Sequence, residues 1–565
     1  MKNLVIWIVS LFTINNAALA ANQEYLDYSL TSKKLTQIIK ETKNQKLTIE
    51  NAILKIHEVD IEMLIKPSAI TQTILPIFTK GKTICTGTAV GRLFFNRDLA
   101  VRKARDGENI IWITNKLTND DLCHIHHFKG VITLSEDPSS HAAIILRISD
   151  IPSLTFIQDS RINKNQLHKT DGKIIHEGDY ISIDAFNQII IPEKIPLFLP
   201  NQHSKELLDQ IMSWCKSFSH VEIHSHSDTP QEASHALKMG ATGIDPRSEH
   251  MFFQPERLSL FRQLILAHPN SKKNALAKLK DLQKQDFIQL FEIMRTLPAK
   301  IRLLDPPLHE FLPRDKDTIK DLARELNIPL LDCEKIINSK EEVNPMMGHR
   351  GVRLLLTYPQ IIEMQVEAIF EAAIESPYKI IPHINLPMVI DKNEVILIKN
   401  SIDETLRKVC EKYNTQLNYK LGIMVETPRA CLLADEIAPY IDFVSFGTND
   451  LTGQTLALSR GDVYESFLKH YLDNKIIECD PFVSLDRAVQ KLIEITVTKL
   501  RDKNPNIVIG ICGEQGAEEK SVTFLCKTGL NSITCSPARV PVIYLFAAQA
   551  AIMKNQIDKQ PIHQH

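Results

Sequence analysis

Residues 421–450 read LGIMVETPRACLLADEIAPYIDFVSFGTND, and the order of features in this stretch decides the fold. An apolar run, LGIMV, stops on Glu426; Thr427 and Pro428 then supply a helix start, and a second run, FVSF, stops on Gly447, Thr448, Asn449 and Asp450. Short apolar runs of this length that alternate with helical stretches describe a βαβ unit, whose two strands lie parallel. Both runs end in polar residues at the carboxyl end, the side on which parallel α/β folds place their ligands.

Outward from this pair, runs of the same kind recur as VEIHSH (221–226), ATGIDP (241–246), KIRLLD (300–305), GVRLLL (351–356), YKIIPHI (378–384) and IVIGICG (507–513). Eight strand candidates separated by amphipathic helices predict a (β/α)8 TIM barrel over residues 221–565. The candidate strand ends carry Arg247, Arg302 with Asp305, Glu426, Asn449 with Asp450, and Gly513 with Glu514. That set is more polar than packing requires.

Upstream, the β-rich runs TAVGRLFF, NIIWIT, GVITL, YISIDAF and QIIIPE predict a compact α/β domain over 74–200. A connector helix over 201–220 joins it to the barrel, and a helical lead-in over 21–73 precedes it. Residues 1–20 have the layout of a secretory signal peptide, with Lys2, the apolar run LVIWIVSLF and small residues ending Ala18-Leu19-Ala20. That run is shorter than the roughly 20 residues of a membrane span, so no span is expected after cleavage. A used signal implies a periplasmic or secreted chain, whereas the chemistry below suits the cytoplasm.

The 565 residues are 44% hydrophobic and 24% charged with a formal net charge of −2, which fits a globular chain and gives no reason to expect nucleic acid or an anionic membrane as partner. Ten scattered cysteines form no Cys-x-x-Cys pair and indicate neither a disulfide scaffold nor a zinc site. The run Cys123-His124-Ile125-His126-His127 reads as helix surface rather than as metal ligands.

Glu426 and Asp450 end adjacent strands and would meet at one mouth, an arrangement suited to Mg²⁺, which takes one or two carboxylates and leaves positions for substrate oxygens. Arg247 and Arg302 offer paired N–H donors for a phosphoryl or carboxylate group. Cys535, in ITCSPARVP, could hold a thiol near the mouth for proton transfer at carbon. His141, in SSHAAIILR at a helix start, could accept a phosphoryl group. Each also fits a plain role when read singly: a salt bridge for either arginine, a solvated pair for the acids, a buried small side chain for Cys535, a helix-start residue for His141.

Taken together, RSEHMFFQPER, IRLLDPPLHEFLP, NPMMGHRGVRLLLTYPQI, MQVEAIFEAA, GIMVETPRACLLADEIA, FVSFGTNDLTGQTLALSRGDV, FLKHYLDNKIIECDPF, GICGEQGA and ITCSPARVP resemble the phosphoenolpyruvate (PEP)-utilising enzymes. Within that family they resemble the pyruvate phosphate dikinases more than PEP synthase or Enzyme I of the sugar phosphotransferase system. The resemblance covers about residues 47–555. It implies a swivelling phosphohistidine domain followed by a PEP/pyruvate-binding barrel, with His141 phosphorylated, Arg247 and Arg302 gripping the phosphoryl group, and Thr448 and Asn449 binding substrate beside them. It further implies Glu426 and Asp450 as Mg²⁺ ligands that also face substrate, Cys535 as the thiol that protonates the enolate, Arg460 as a substrate-binding arginine, and a homodimer.

The sequence departs from the family pattern in three places. The two dozen or so residues between Ala20 and the matched region leave no room for the dikinases' ATP-grasp domain. At most the PEP/pyruvate half-reaction is therefore expected, with a separate nucleotide-binding or phosphocarrier protein completing it. A Gly-Gly pair, spacer and Thr-Ser before the histidine are replaced by Glu136, Asp137, Pro138, Ser139 and Ser140, which puts two carboxylates, each worth roughly a kcal/mol of repulsion even in water, beside a phosphohistidine. The Gly-Leu-x-Arg-Thr motif reads Ile244-Asp245-Pro246-Arg247-Ser248, adding an acid and a proline near the phosphate grip. Alternatives to the half-reaction are a non-catalytic, PEP-binding or regulatory descendant and an Enzyme I-like PEP-protein phosphotransferase.

Overall fold

The computed structural model describes residues 26–558 except 71–74, 118–120, 122–123, 136–142, 144–145, 148, 253–254, 267–268, 343 and 460–466. The signal-like segment, His141 with the loop before it, and Arg460 lie outside the described residues. The chain divides into two compact units, one ending at Gln210 and the other beginning at Ile211.

The first unit is built on an eight-stranded mixed sheet. Its strands are β1 (Thr79–Lys80), β2 (Lys82–Cys85), β3 (Thr88–Phe94), β4 (Ile110–Thr114), β5 (Gly130–Thr133), β6 (Ser153–Thr155), β7 (Tyr180–Asp184) and β8 (Ile189–Ile191). Their spatial order is β1-β8-β7-β3-β4-β5-β6-β2, with the run β3 to β6 parallel. Strands buried on both faces read as unbroken apolar runs, and IIWIT of β4 and GVIT of β5 are of this kind. One face packs Ile110, Trp112 and Val131 against Ala100 and Val101 of the helix Arg97–Arg105, and the other packs Ile111, Ile113 and Ile132 with Ile181 and Ile183.

The second unit is a parallel barrel of β9 (Glu222–Ser225), β10 (Gly243–Ile244), β11 (Lys300–Arg302), β12 (His383–Leu386), β13 (Lys420–Val425), β14 (Phe443–Gly447), β15 (Val508–Cys512) and β16 (Ser532–Cys535). The order is β10-β9-β16-β15-β14-β13-β12-β11, every pairing parallel. The two ends of this series meet through the parallel bridges Ile244–Ala299 and Arg247–Arg302, which nearly close the barrel.

Two segments differ from the sequence expectation. GVRLLL is no strand: Val352–Thr357 is a helix. A six-residue apolar run does not distinguish strand from helix by periodicity, and leucines, unbranched at Cβ, favour helix. Gly351 sets the turn before it with φ 57, a value that suits glycine, and packs so closely on Pro387 and Met388 that a Cβ would lie 2.7 Å from the Met388 side chain. The eighth strand is instead Ser532–Cys535, buried throughout, in the segment ITCSPARVP, which is not among the strand candidates.

The interior of the barrel is polar. Barrels of this class usually fill the lumen with branched apolar side chains. Here Lys300 of β11, 3% exposed, reaches across to Ser532 Oγ of β16 at 3.1 Å, and its ammonium lies over the Phe443 ring of β14. Asp245 accepts from Thr534 Oγ1 at 2.6 Å and meets His224 Nδ1 at 3.1 Å. The alternate residues Ile223, Ile301, Ile384, Val444, Ile509 and Ile533 are fully buried and carry the apolar packing of the strands. Lumen glycines make room for the larger groups; a Cβ on Gly422 would lie 2.3 Å from the Phe443 ring.

Gly422→Ala is therefore expected to destabilise the barrel by about 1–3 kcal/mol through overpacking, read as an earlier urea transition of the barrel with no loss of the first unit's signal. An unchanged transition would show that Phe443 can turn aside freely.

Candidate active site at the carboxyl end of the barrel

The bridge that closes the barrel also builds the centre of the site. Pairing Arg247 with Arg302 sets two arginines side by side on neighbouring chain segments, with the Arg302 amide donating to the Pro246 carbonyl at 3.0 Å. Like charges so placed need counter-charges. Asp228 takes the Arg247 guanidinium through Nη2 at 2.7 Å and Nε at 3.2 Å, accepts the Arg247 amide at 2.6 Å, and meets His250 Nδ1 at 2.8 Å. Burial alone would raise the Asp228 carboxyl, but Arg247 and His250 outweigh it and hold it well below the usual range. Arg302 is paired to Glu249 and lies 3.4 Å from Asp305. Its Nε and Glu249 Oε2 are buried without a hydrogen-bond partner in the structure.

A third guanidinium joins them. Arg350 donates to Asp305 through Nε at 3.1 Å and Nη2 at 2.6 Å, and to Asp450 through Nη1 at 3.0 Å. It ties the end of β11 to the end of β14. Burial would push Asp305 up, yet Arg350 and Arg302 overcome it and hold the carboxyl low.

Glu426 is the carboxylate with no ion-pair partner among the described residues. Its Oε1 accepts the Met388 amide at 2.6 Å, and its Oε2 lies 2.3 Å from where a Cβ on Gly447 would stand, so the two strand ends touch. Burial, then Asp450, then Asp305 push its carboxyl up to about 8. Asp450 is also raised, by burial first, with Arg350 opposing. Crowded, dehydrated carboxylates of this kind fit a cation. Mg²⁺ in such a site would take Glu426 and Asp450 as ligands and draw its other oxygens from substrate and water.

Thr448, Asn449 and Asp450 form the first turn of the helix Thr448–Leu456, whose unpaired amide groups favour an anion at that end. Thr448 Oγ1 donates to Gln515 Oε1 at 2.7 Å, which fixes the turn to the end of β15. Asn449 Oδ1 is buried without a hydrogen-bond partner.

Of the expected residues, Arg247, Arg302, Glu426, Thr448, Asn449 and Asp450 come together at this end. Cys535, the last residue of β16, stands on a different face of its strand from Thr534. Strand alternation turns Thr534 inward to Asp245 and Cys535 to the other face, where its Sγ donates to the His224 carbonyl at 3.8 Å. A thiol that sequence reasoning passed over, Cys512, meets charged groups of the mouth. It ends β15 opposite Gly447, donates to the Phe446 carbonyl at 3.5 Å, and feels Arg302 and Glu426. Burial dominates its environment and pushes the thiol up to about 12. Asp245, expected to burden the phosphate grip, is taken up inside the barrel by His224 and Thr534.

Sequence reasoning missed Arg350 and Cys512. Arg350 precedes the segment misread as a strand, which hid its place beside β11. Cys512 stood in the quoted run IVIGICG, and reading ITC as a strand would have shown by alternation that Thr534 and Cys535 face opposite ways.

Known proteins resemble this chain over most of its length. The profile of the PEP-utilising enzyme PEP-binding domain matches residues 202–552, and that of the PEP-utilising enzyme mobile domain matches residues 107–188. The chain is 36% identical over 516 residues to pyruvate, phosphate dikinase of Rhizobium meliloti, covering 90% of this chain and 57% of that protein. It is 35% identical over 516 residues to the protein of the same name from Clostridium symbiosum (90% and 59%), and 34% identical over 561 residues to that of Rickettsia prowazekii (96% and 62%). The chain thus spans about three-fifths of the length of these relatives. With the PEP-binding profile matching well over half of its residues, the chain belongs to the PEP-utilising enzyme family.

Proposed function

We propose that the barrel mouth binds phosphoenolpyruvate and interconverts it with pyruvate, the phosphoryl group passing to and from His141. The observation that carries this reading is the side-by-side placement of Arg247 and Arg302 facing the crowded carboxylates Glu426 and Asp450. The name shared by the relatives supports it. The reading extends to the PEP/pyruvate half-reaction, with a separate nucleotide-binding or phosphocarrier protein exchanging phosphate with His141.

Each chain residue then has a task. Arg247 and Arg302 hold the phosphoryl oxygens through paired donors and neutralise their charge as the P–O bond to the enol oxygen breaks and the bond to the imidazole forms. Glu426 and Asp450 would hold Mg²⁺, which supplies further positive charge at substrate oxygens. Asn449 offers its amide to the substrate, and Thr448 keeps that turn in place. Arg350 keeps Asp305 and Asp450 oriented. The Cys512 thiol, kept protonated by burial, gives its proton to the methylene carbon of the enolate to yield pyruvate, and solvent restores it; in reverse the thiolate removes a methyl proton.

Two measurements test the reading. With PEP and Mg²⁺, Cys512→Ala should slow pyruvate formation by about 10²-fold or more, whereas Cys535→Ala should keep it; the opposite result would move the proton donor to Cys535. The parent chain should gain one acid-labile phosphate by intact mass spectrometry, and His141→Ala should lose that phosphate and pyruvate formation while PEP still binds calorimetrically. Binding with no phosphohistidine in the parent chain would leave a PEP-binding descendant instead.

A further inference from the structure

His226 lies just past β9 and has no part in the site as described. Its amide donates to the Cys535 carbonyl at 2.9 Å, so the ladder and the strand's alternation continue through it. Ser225 and Ser227 share one face, joined by a hydroxyl contact of 3.3 Å. His226 therefore shares the other with His224, whose ring faces the lumen against Gly243 and Asp245. One layer above His224 is the mouth. The ring is half-buried, and its Nδ1 is sealed from solvent with no hydrogen-bond partner in the structure.

The charged groups that bear on this ring are Arg247 and Asp245 from the segment after β10, Asp228 from the loop after β9, and Arg302 from β11. Both paired arginines thus bear electrostatically on a histidine whose Nδ1 is unused. Buried polar atoms in native proteins almost always have a partner, and the ring, only half-buried, lies on the strand face that leads to the mouth.

We propose that His226 is a third donor to the anion held between Arg247 and Arg302, and that it takes up a proton as that anion binds. The inference rests on the PEP reading of the mouth. In the free chain, burial and then Arg247 keep the imidazole neutral, down to about 4. An anion set between the arginines cancels their repulsion and adds its own attraction, so the imidazolium is favoured only in the complex. The sign follows: proton uptake occurs at pH values between the free and the raised bound value, and affinity gained this way is lost as pH rises through the bound value.

Calorimetric titration with PEP and Mg²⁺ in two buffers of different ionisation enthalpy at pH 6 tests it, with the full chain carrying His141→Ala as the parent so that PEP binds without reacting. The parent chain should take up more protons per PEP than His226→Asn or His226→Gln, since the ligand's own protonation is common to all three. The variants should bind about tenfold more weakly, as fits a lost bond to a charged group. Equal proton uptake and equal affinity in parent and variants, with PEP bound, would overturn this inference alone. Failure of the parent chain to bind PEP would overturn the reading beneath it as well.

Discussion

The pairing of Arg247 with Arg302 is the constraint on which the rest of the second unit depends. It is a backbone contact that brings the two ends of the strand series together, and it forces two guanidinium groups into one small, partly dehydrated space. Repulsion there is relieved only by carboxylates, and Asp228, Glu249 and Asp305 supply them from three separate segments. The counter-charges in turn need Arg350, which reaches Asp450 at the far side of the mouth. A barrel joint thereby becomes an alternating lattice of charge.

On the proposed reading, such a lattice would serve a phosphorylated acid well because its positive groups are oriented before the ligand arrives. Fixed donors in a water-poor site stabilise developing charge without reorganising. Glu426 stands apart from the lattice: held by one amide and pressed by two other carboxylates, it is the group whose ionisation a cation would most favour. Burial keeps the Cys512 thiol protonated, as the proposed proton donor requires.

Much of this was legible in the residues. The runs of β3, β4, β5, β7 and β8, and seven of the eight barrel strands, announced themselves because strands buried on both faces are continuous apolar stretches. Six candidate site residues at the barrel mouth were found by asking which polar residues end such runs. The eighth strand was not found, since SITC is short and carries two polar residues that face a polar lumen, a pattern that reads as a turn. GVRLLL misled for the converse reason, being an apolar run long enough for one turn and a half of helix.

By itself the sequence determined the succession of strands and helices, the parallel barrel they imply, and the chemical inventory at the strand ends, because these follow from local periodicity and from where apolar runs stop. Tertiary structure decided which groups meet. Arg350 reaches Asp450, 100 residues away, and Thr534 reaches Asp245, 289 residues away. It also set Cys512 among the charged groups of the mouth and Cys535 on the strand face opposite Thr534, since the direction of a side chain at a strand end depends on alternation within a strand that only long-range pairing reveals.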